Sequence, residues 1–83
     1  MVKSVLYTRT AATALRKHAN RAMLIRSKIR QYADDASSQA NNVKPLAGVD
    51  AKRLRVGDFR VIFTETADTI TILDIGPRGG IYE

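Results

Sequence analysis

Five residues between Arg53 and Tyr82 of this 83-residue chain have the chemistry to hold and activate a phosphodiester: Arg53, Arg55, Arg60, Arg78 and Tyr82. A guanidinium offers a planar fork of N–H donors that matches a phosphate bidentately. A preorganised set of them stabilises charge building on a pentavalent phosphorus without reorganising during the reaction. Arginine is a poor base, because its pKa stays above about 12. Its roles are those of an electrostatic clamp and of a proton donor to a leaving oxygen. A tyrosine can stack on a splayed base or hydrogen-bond a ribose 2′-hydroxyl. Cleavage of RNA at its own 2′-hydroxyl asks for these services: a deprotonated 2′-oxygen, a stabilised phosphorane and a protonated 5′-oxygen.

The elements that must carry these side chains are strands. From Ala51 the apolar residues recur with period two, and Gly57-Asp58 has the composition of a two-residue hairpin turn with glycine first, as in type II′. That turn sets the register. Val56 falls opposite Phe59, Leu54 opposite Val61 and Lys52 opposite Phe63. On the other face Arg55 falls opposite Arg60, and Arg53 opposite Ile62. Like charges directly opposite each other destabilise a sheet, so the pairing points to an anionic partner. Thr66-Ala67-Asp68 makes the next turn, and Thr69–Ile75 the last strand. Its alternation slips at Leu73, which implies burial on both faces or a bulge. Gly76-Pro77 is expected to end that strand, and Gly79-Gly80 to let the tail fold back.

Upstream, residues 2–8 are β-branched and aromatic enough for a first strand. Thr8 or Thr10 can cap a short helix whose inner face is Ala11, Ala12, Leu15 and Ala19. His18-Ala19-Asn20 separates it from a second helix, with Asn as a left-handed cap. There Ala22, Ile25, Ile29 and Tyr32 repeat at helical spacing, with Arg21, Arg26, Lys28 and Arg30 turned mostly to solvent. Residues 34–42 read as a polar loop. Val43-Lys-Pro-Leu-Ala-Gly48 leads into the sheet. The class is α+β: an N-terminal strand, an αα-hairpin and a three-stranded antiparallel meander forming a small twisted sheet, in one domain over residues 1–83.

Composition narrows the function. A net charge of +6 favours anionic partners. Residues 1–33 hold eight Lys/Arg and no acidic residue, which suits an acidic protein or a nucleic-acid backbone. There are no cysteines and one histidine, so neither a disulfide frame nor a multi-histidine metal cluster is expected. No P-loop, Ser–His pair or general acid/base carboxylate pair is present. Asp58, Asp74 and Glu65 read as surface carboxylates, and His18 as a capping or solvent-facing residue. No signal peptide or membrane span is evident, so a cytoplasmic protein without cofactor or metal is expected.

Three segments carry a resemblance to a known family: Lys44-Pro-Leu-Ala-Gly48, Arg53-Leu-Arg-Val-Gly-Asp-Phe-Arg-Val-Ile-Phe63 and Ile72-Leu-Asp-Ile-Gly-Pro-Arg-Gly-Gly-Ile-Tyr82. With the β–αα–βββ order, they resemble the RelE/ParE superfamily of toxins from type II toxin–antitoxin systems. The resemblance implies a cognate antitoxin, acidic or amphipathic, wrapped around the chain. In the RelE branch it implies a toxin that enters the ribosome and cuts mRNA by 2′-hydroxyl attack. Arg53 and Arg55 then match the basic residues of proton abstraction and charge stabilisation. Arg60 matches the phosphate stabiliser, Arg78 the general acid and Tyr82 the residue that stacks or orients. Lys44, Lys52, Arg26 and Arg30 are added as RNA-binding residues, although Lys52 falls on the core-side face. Two departures stand out: the pre-turn pair is lysine in the best-known RelE enzyme, and Tyr82 comes only four residues after Arg78. The alternative is the ParE branch, which inhibits DNA gyrase by binding and cuts no RNA.

Overall fold

A computed structural model of the chain describes residues 3–77. The element order is β1 (Ser4–Tyr7), α1 (Arg9–Lys17), α2 (Ala19–Asp34), a 3-10 segment (Ala36–Asn42), β2 (Val43–Pro45), β3 (Lys52–Val56), β4 (Phe59–Glu65) and β5 (Thr69–Pro77). The strands form one sheet in the order β1-β5-β4-β3-β2. All pairs are antiparallel except β1 with β5, which is parallel and runs from Ser4↔Thr69 to Tyr7↔Ile72. The α1–α2 pair provides the crossover that parallel strands require.

Local chemistry explains the helices. The Thr8 hydroxyl accepts from the Ala11 amide at 3.1 Å, capping α1. It also donates to the Leu73 carbonyl at 2.9 Å, which ties the cap to β5. Ala11 and Leu15 of α1 are buried, with Ala12 half-buried and Ala19 exposed. His18 forms the link between the helices, accepting from the Arg21 amide and donating to the Ala14 carbonyl. The expected left-handed asparagine cap is absent: His18 turns at φ −111, ψ 49, and Asn20 lies inside α2. Ile25, Ile29 and Tyr32 of α2 are buried as their spacing predicts, joined by Ala33. They pack with Leu54, Val56, Val61, Phe63, Ile70, Ile72 and Ile75 of the sheet.

The hairpin has the register expected from the sequence, including Arg55↔Arg60 and Arg53↔Ile62. Gly57 takes φ +57, the positive value that a mirror-image hairpin turn needs at its first position. The slip at Leu73 is a bulge. The ladder steps from Ile62↔Asp74 to Phe63↔Ile72, leaving Leu73 as the extra residue.

Three further expectations change. Val43–Pro45 is a short edge strand on β3, so the meander has one more strand than expected; the proline is accommodated because it sits at an edge. Residues 36–42 are not plain loop but two 3-10 turns meeting at Gln39. Gly76 and Pro77 do not end β5; they continue it opposite Arg60 and Phe59. β1 pairs with β5 only as far as Ile72, so this end of β5 has an edge where proline is tolerated.

Candidate nucleic-acid interface

Alternation along β3 and β4 divides their side chains between the two faces of the sheet. Leu54, Val56, Val61 and Phe63 enter the core beneath the helices, which leaves Arg53, Arg55 and Arg60 on the opposite face. Arg55 is exposed there, while Arg53 and Arg60 are half-buried. The edge strand extends the row, with Lys44 paired to Arg53. On the other side Gly76, buried and without a side chain, stands across from Arg60. The result is a hollow of about 230 Å³ lined by Asn41, Asn42, Lys44, Arg53, Arg55 and Arg60, with Gly57 and Phe59 at the hairpin end. Four cations in one concavity, without a carboxylate among its described lining residues, create a field that attracts phosphate.

The structure brings together Lys44, Arg53, Arg55 and Arg60 of the residues singled out in the sequence. It separates the others. Lys52 lies on the core-side face, where its Nζ is 3.1 Å from Glu65 Oε1. Arg26 stacks over the Tyr7 ring at 5.3 Å, on the β1 side of the sheet. Arg30 donates to the Lys3 carbonyl at 3.4 Å and lies 3.8 Å from Asp34. These three do not face the hollow, because helix packing and strand parity carry them elsewhere. Arg78 and Tyr82 lie outside the described residues.

Two features were hidden in the sequence. Asn41 and Asn42 border the hollow, although they read only as polar loop; the signal was their position just before Lys44. Glu65 is not a surface carboxylate. It accepts from Lys3 Nζ at 2.6 Å, Tyr32 OH at 2.6 Å and Lys52 Nζ at 3.1 Å. Burial pulls its carboxyl up, but the bonds from Lys3, Tyr32 and Lys52 outweigh burial and hold it at about 2. Burial, with the bond to Glu65 adding to it, pushes the Tyr32 phenol well above its ordinary value. This network joins the residue before β1 to α2, β3 and β4 and braces the sheet away from the Gly57-Asp58 turn.

His18 packs edge-on against Phe59, ring centroids 4.9 Å apart, so its ring supports the hairpin from the helix side. Among the described residues no group of three or more His, Cys, Asp or Glu could hold a metal ion. No described helix is long and apolar enough to cross a membrane.

No family model matches the sequence, and no curated protein matches it significantly. Solved structures do match. A chain of the RelBE2 toxin–antitoxin complex of Mycobacterium tuberculosis superimposes with a TM-score of 0.69 at 24% identity, covering 94% of this chain and all 100% of that one. A chain of the archaeal RelE–RelB complex of Pyrococcus horikoshii OT3 gives 0.66 at 27% identity, covering 96% of this chain and 99% of that one. YafQ of Escherichia coli BL21(DE3) gives 0.65 at 11% identity, covering 98% and 99%. The likeness spans both chains nearly end to end in each case, and the expectation drawn from the sequence motifs holds: the chain has a RelE-like fold.

Proposed function

We propose that this chain is the toxin of a type II toxin–antitoxin system, an endoribonuclease that cuts mRNA on the ribosome and is held inactive by a cognate antitoxin. The observation that carries this reading is the apposition of Arg55 and Arg60 in a hollow that also collects Lys44 and Arg53. The RelE names of the structural neighbours favour this branch over a gyrase-inhibiting one. Two of those neighbours come from complexes, the RelBE2 toxin–antitoxin complex and the RelE–RelB complex, which supports a bound antitoxin here.

In the proposed reaction the ribose 2′-hydroxyl gives its proton to a solvent water, its oxygen bonds to the adjacent phosphorus, and the P–O5′ bond breaks as the 5′-oxygen takes up a proton. The products are a 2′,3′-cyclic phosphate and a 5′-hydroxyl. Arg55 and Arg60 hold the two non-bridging oxygens, where negative charge grows as the phosphorane forms. Lys44 and Arg53, farther along the same face, hold the neighbouring phosphate. Arg53 and Arg55 act by charge rather than as bases, since a guanidinium stays protonated. Arg78 is proposed to protonate the leaving 5′-oxygen, and Tyr82 to stack on the adjacent base.

Primer extension on a reporter mRNA tests the reading, with and without purified ribosomes. Discrete cuts that require ribosomes and vanish with Arg60→Ala are expected. Intact mRNA alongside growth arrest would overturn it and move the weight to gyrase.

A further inference from the structure

The rim of the basic hollow opposite the hairpin turn is made by two side-chain amides, Asn41 and Asn42, both exposed. Asn42 is oriented from behind. Its Nδ2 donates to Gln39 Oε1 at 3.3 Å, Gln39 Nε2 donates to Gln31 Oε1 at 2.9 Å, and Gln31 Nε2 donates to Ser27 Oγ at 3.4 Å. Gln39 is the buried polar side chain among the described residues, only 5% exposed. The relay anchors the 3-10 segment to α2 and spends an Asn42 N–H on the protein. Among the described residues nothing donates to Asn42 Oδ1, and the Asn41 side chain makes no hydrogen bond. A carbonyl acceptor is thus aligned at the edge of a phosphate-binding concavity, beside an amide that both donates and accepts.

A phosphate seated on the arginines brings its own base to this rim. We propose that Asn41 and Asn42 read that base, favouring adenine or cytosine over uracil. Asn42 Oδ1 accepts from the exocyclic amino group, and an amide N–H donates to the adjacent ring nitrogen. Asparagine recognises adenine through this donor–acceptor pair in duplexes, and unstacked RNA bases present their edges for the same contact. Uracil carries a carbonyl where adenine and cytosine carry the amino group, and it meets Oδ1 oxygen to oxygen. Gln39 is a positioning residue, acting through Asn42.

The inference deepens the ribonuclease reading and rests on it for its biological meaning, but base discrimination can be measured without cleavage. The probes are short single-stranded RNAs, identical but for one central A, C or U, with binding read by fluorescence anisotropy. The wild-type chain is expected to bind the A or C probe at least about fivefold more tightly than the U probe. In an Asn41→Ala/Asn42→Ala chain that ratio falls towards one, and in Gln39→Leu it falls part of the way. Thermal melts of each variant verify that it is folded. A wild-type ratio near one, or a ratio unchanged in the folded double variant, overturns the inference. Mapping cuts on ribosome-bound mRNA separates the two claims. Base preference lost in the variant while mRNA stays whole removes the ribonuclease reading and keeps the base-reading one. Cuts spread evenly before all bases in the wild type do the reverse.

Discussion

Arg55 stands directly across the β3–β4 ladder from Arg60, on the sheet face that the helices leave uncovered. Like charges directly opposite one another cost a sheet stability. Function and stability are therefore expected to separate at Arg55. Arg55→Thr should raise stability by about 0.2–1 kcal/mol, a rise of a few degrees in melting temperature for a domain of this size. The same substitution should lower mRNA cleavage by at least about a hundredfold, the order lost when one preorganised donor to an oxyanion is removed. A melt and a cleavage assay on one preparation check it. A variant both destabilised and fully active would mean that the pair is structural.

Glu65 gives the acid limb of stability a specific owner. Its carboxyl sits at about 2 against an ordinary value of 4.5. A folded pKa below the unfolded one means the contribution is complete above about 4.5 and is lost as pH falls through about 2. Urea midpoints measured between pH 2 and 6 should drop across that window in the wild type. In Glu65→Gln the drop should be shallower, and stability at pH 7 lower by about 1–3 kcal/mol, because Lys3 and Lys52 lose their counter-charge. Parallel curves for the two proteins would exclude Glu65 as the titrating group.

At the alkaline end the sign reverses. Tyr32 is raised by burial and by its bond to Glu65, and Tyr7 is raised by burial against the opposing pull of Arg26 and Arg30. The stability each contributes is present below the unfolded value of 10 and is lost as pH rises beyond it. Phenolate absorbance should show Tyr32 and Tyr7 ionising above pH 10 in the folded chain. Tyr32→Phe should remove the highest step. If all three tyrosines ionise together near 10 with the fold intact, the Tyr32–Glu65 bond is not formed in solution.

Thr8 serves two elements at once, capping α1 and bonding the bulged Leu73 carbonyl. Thr8→Ala is expected to cost about 0.5–2 kcal/mol for the cap, with a further loss at the bulge. Hydrogen exchange should quicken at the Ala11 amide and in β5 near Leu73. Thr8→Ser should restore most of both, since the hydroxyl returns. Loss confined to α1 would show that the bond to Leu73 is incidental.

What the sequence determined by itself follows from local rules. Gly57-Asp58 and the period-two apolar run settle the register of β3 on β4, and with it the meeting of Arg55 and Arg60. The spacing of Ile25, Ile29 and Tyr32 marks the inner face of α2, and the slip at Leu73 marks a strand either buried on both faces or bulged, a choice that the β4–β5 register decides for the bulge. Tertiary structure alone decided the rest. β1 lies parallel to β5 because the helices between them carry the chain across the sheet, a contact between residues more than sixty positions apart. Val43–Pro45, too short to announce a strand, becomes one because β3 offers an unpaired edge. Glu65 acquires its three partners only when β1, α2 and β3 converge on the end of β4. Asn41 and Asn42 border the basic hollow from a 3-10 segment whose Gln39 is buried and bonded to Gln31 of α2. Composition could identify which side chains were able to hold a phosphate. Only packing could decide which of them, Lys44 but not Lys52, Arg26 or Arg30, face the same space, because strand parity and helix docking choose the side of the sheet.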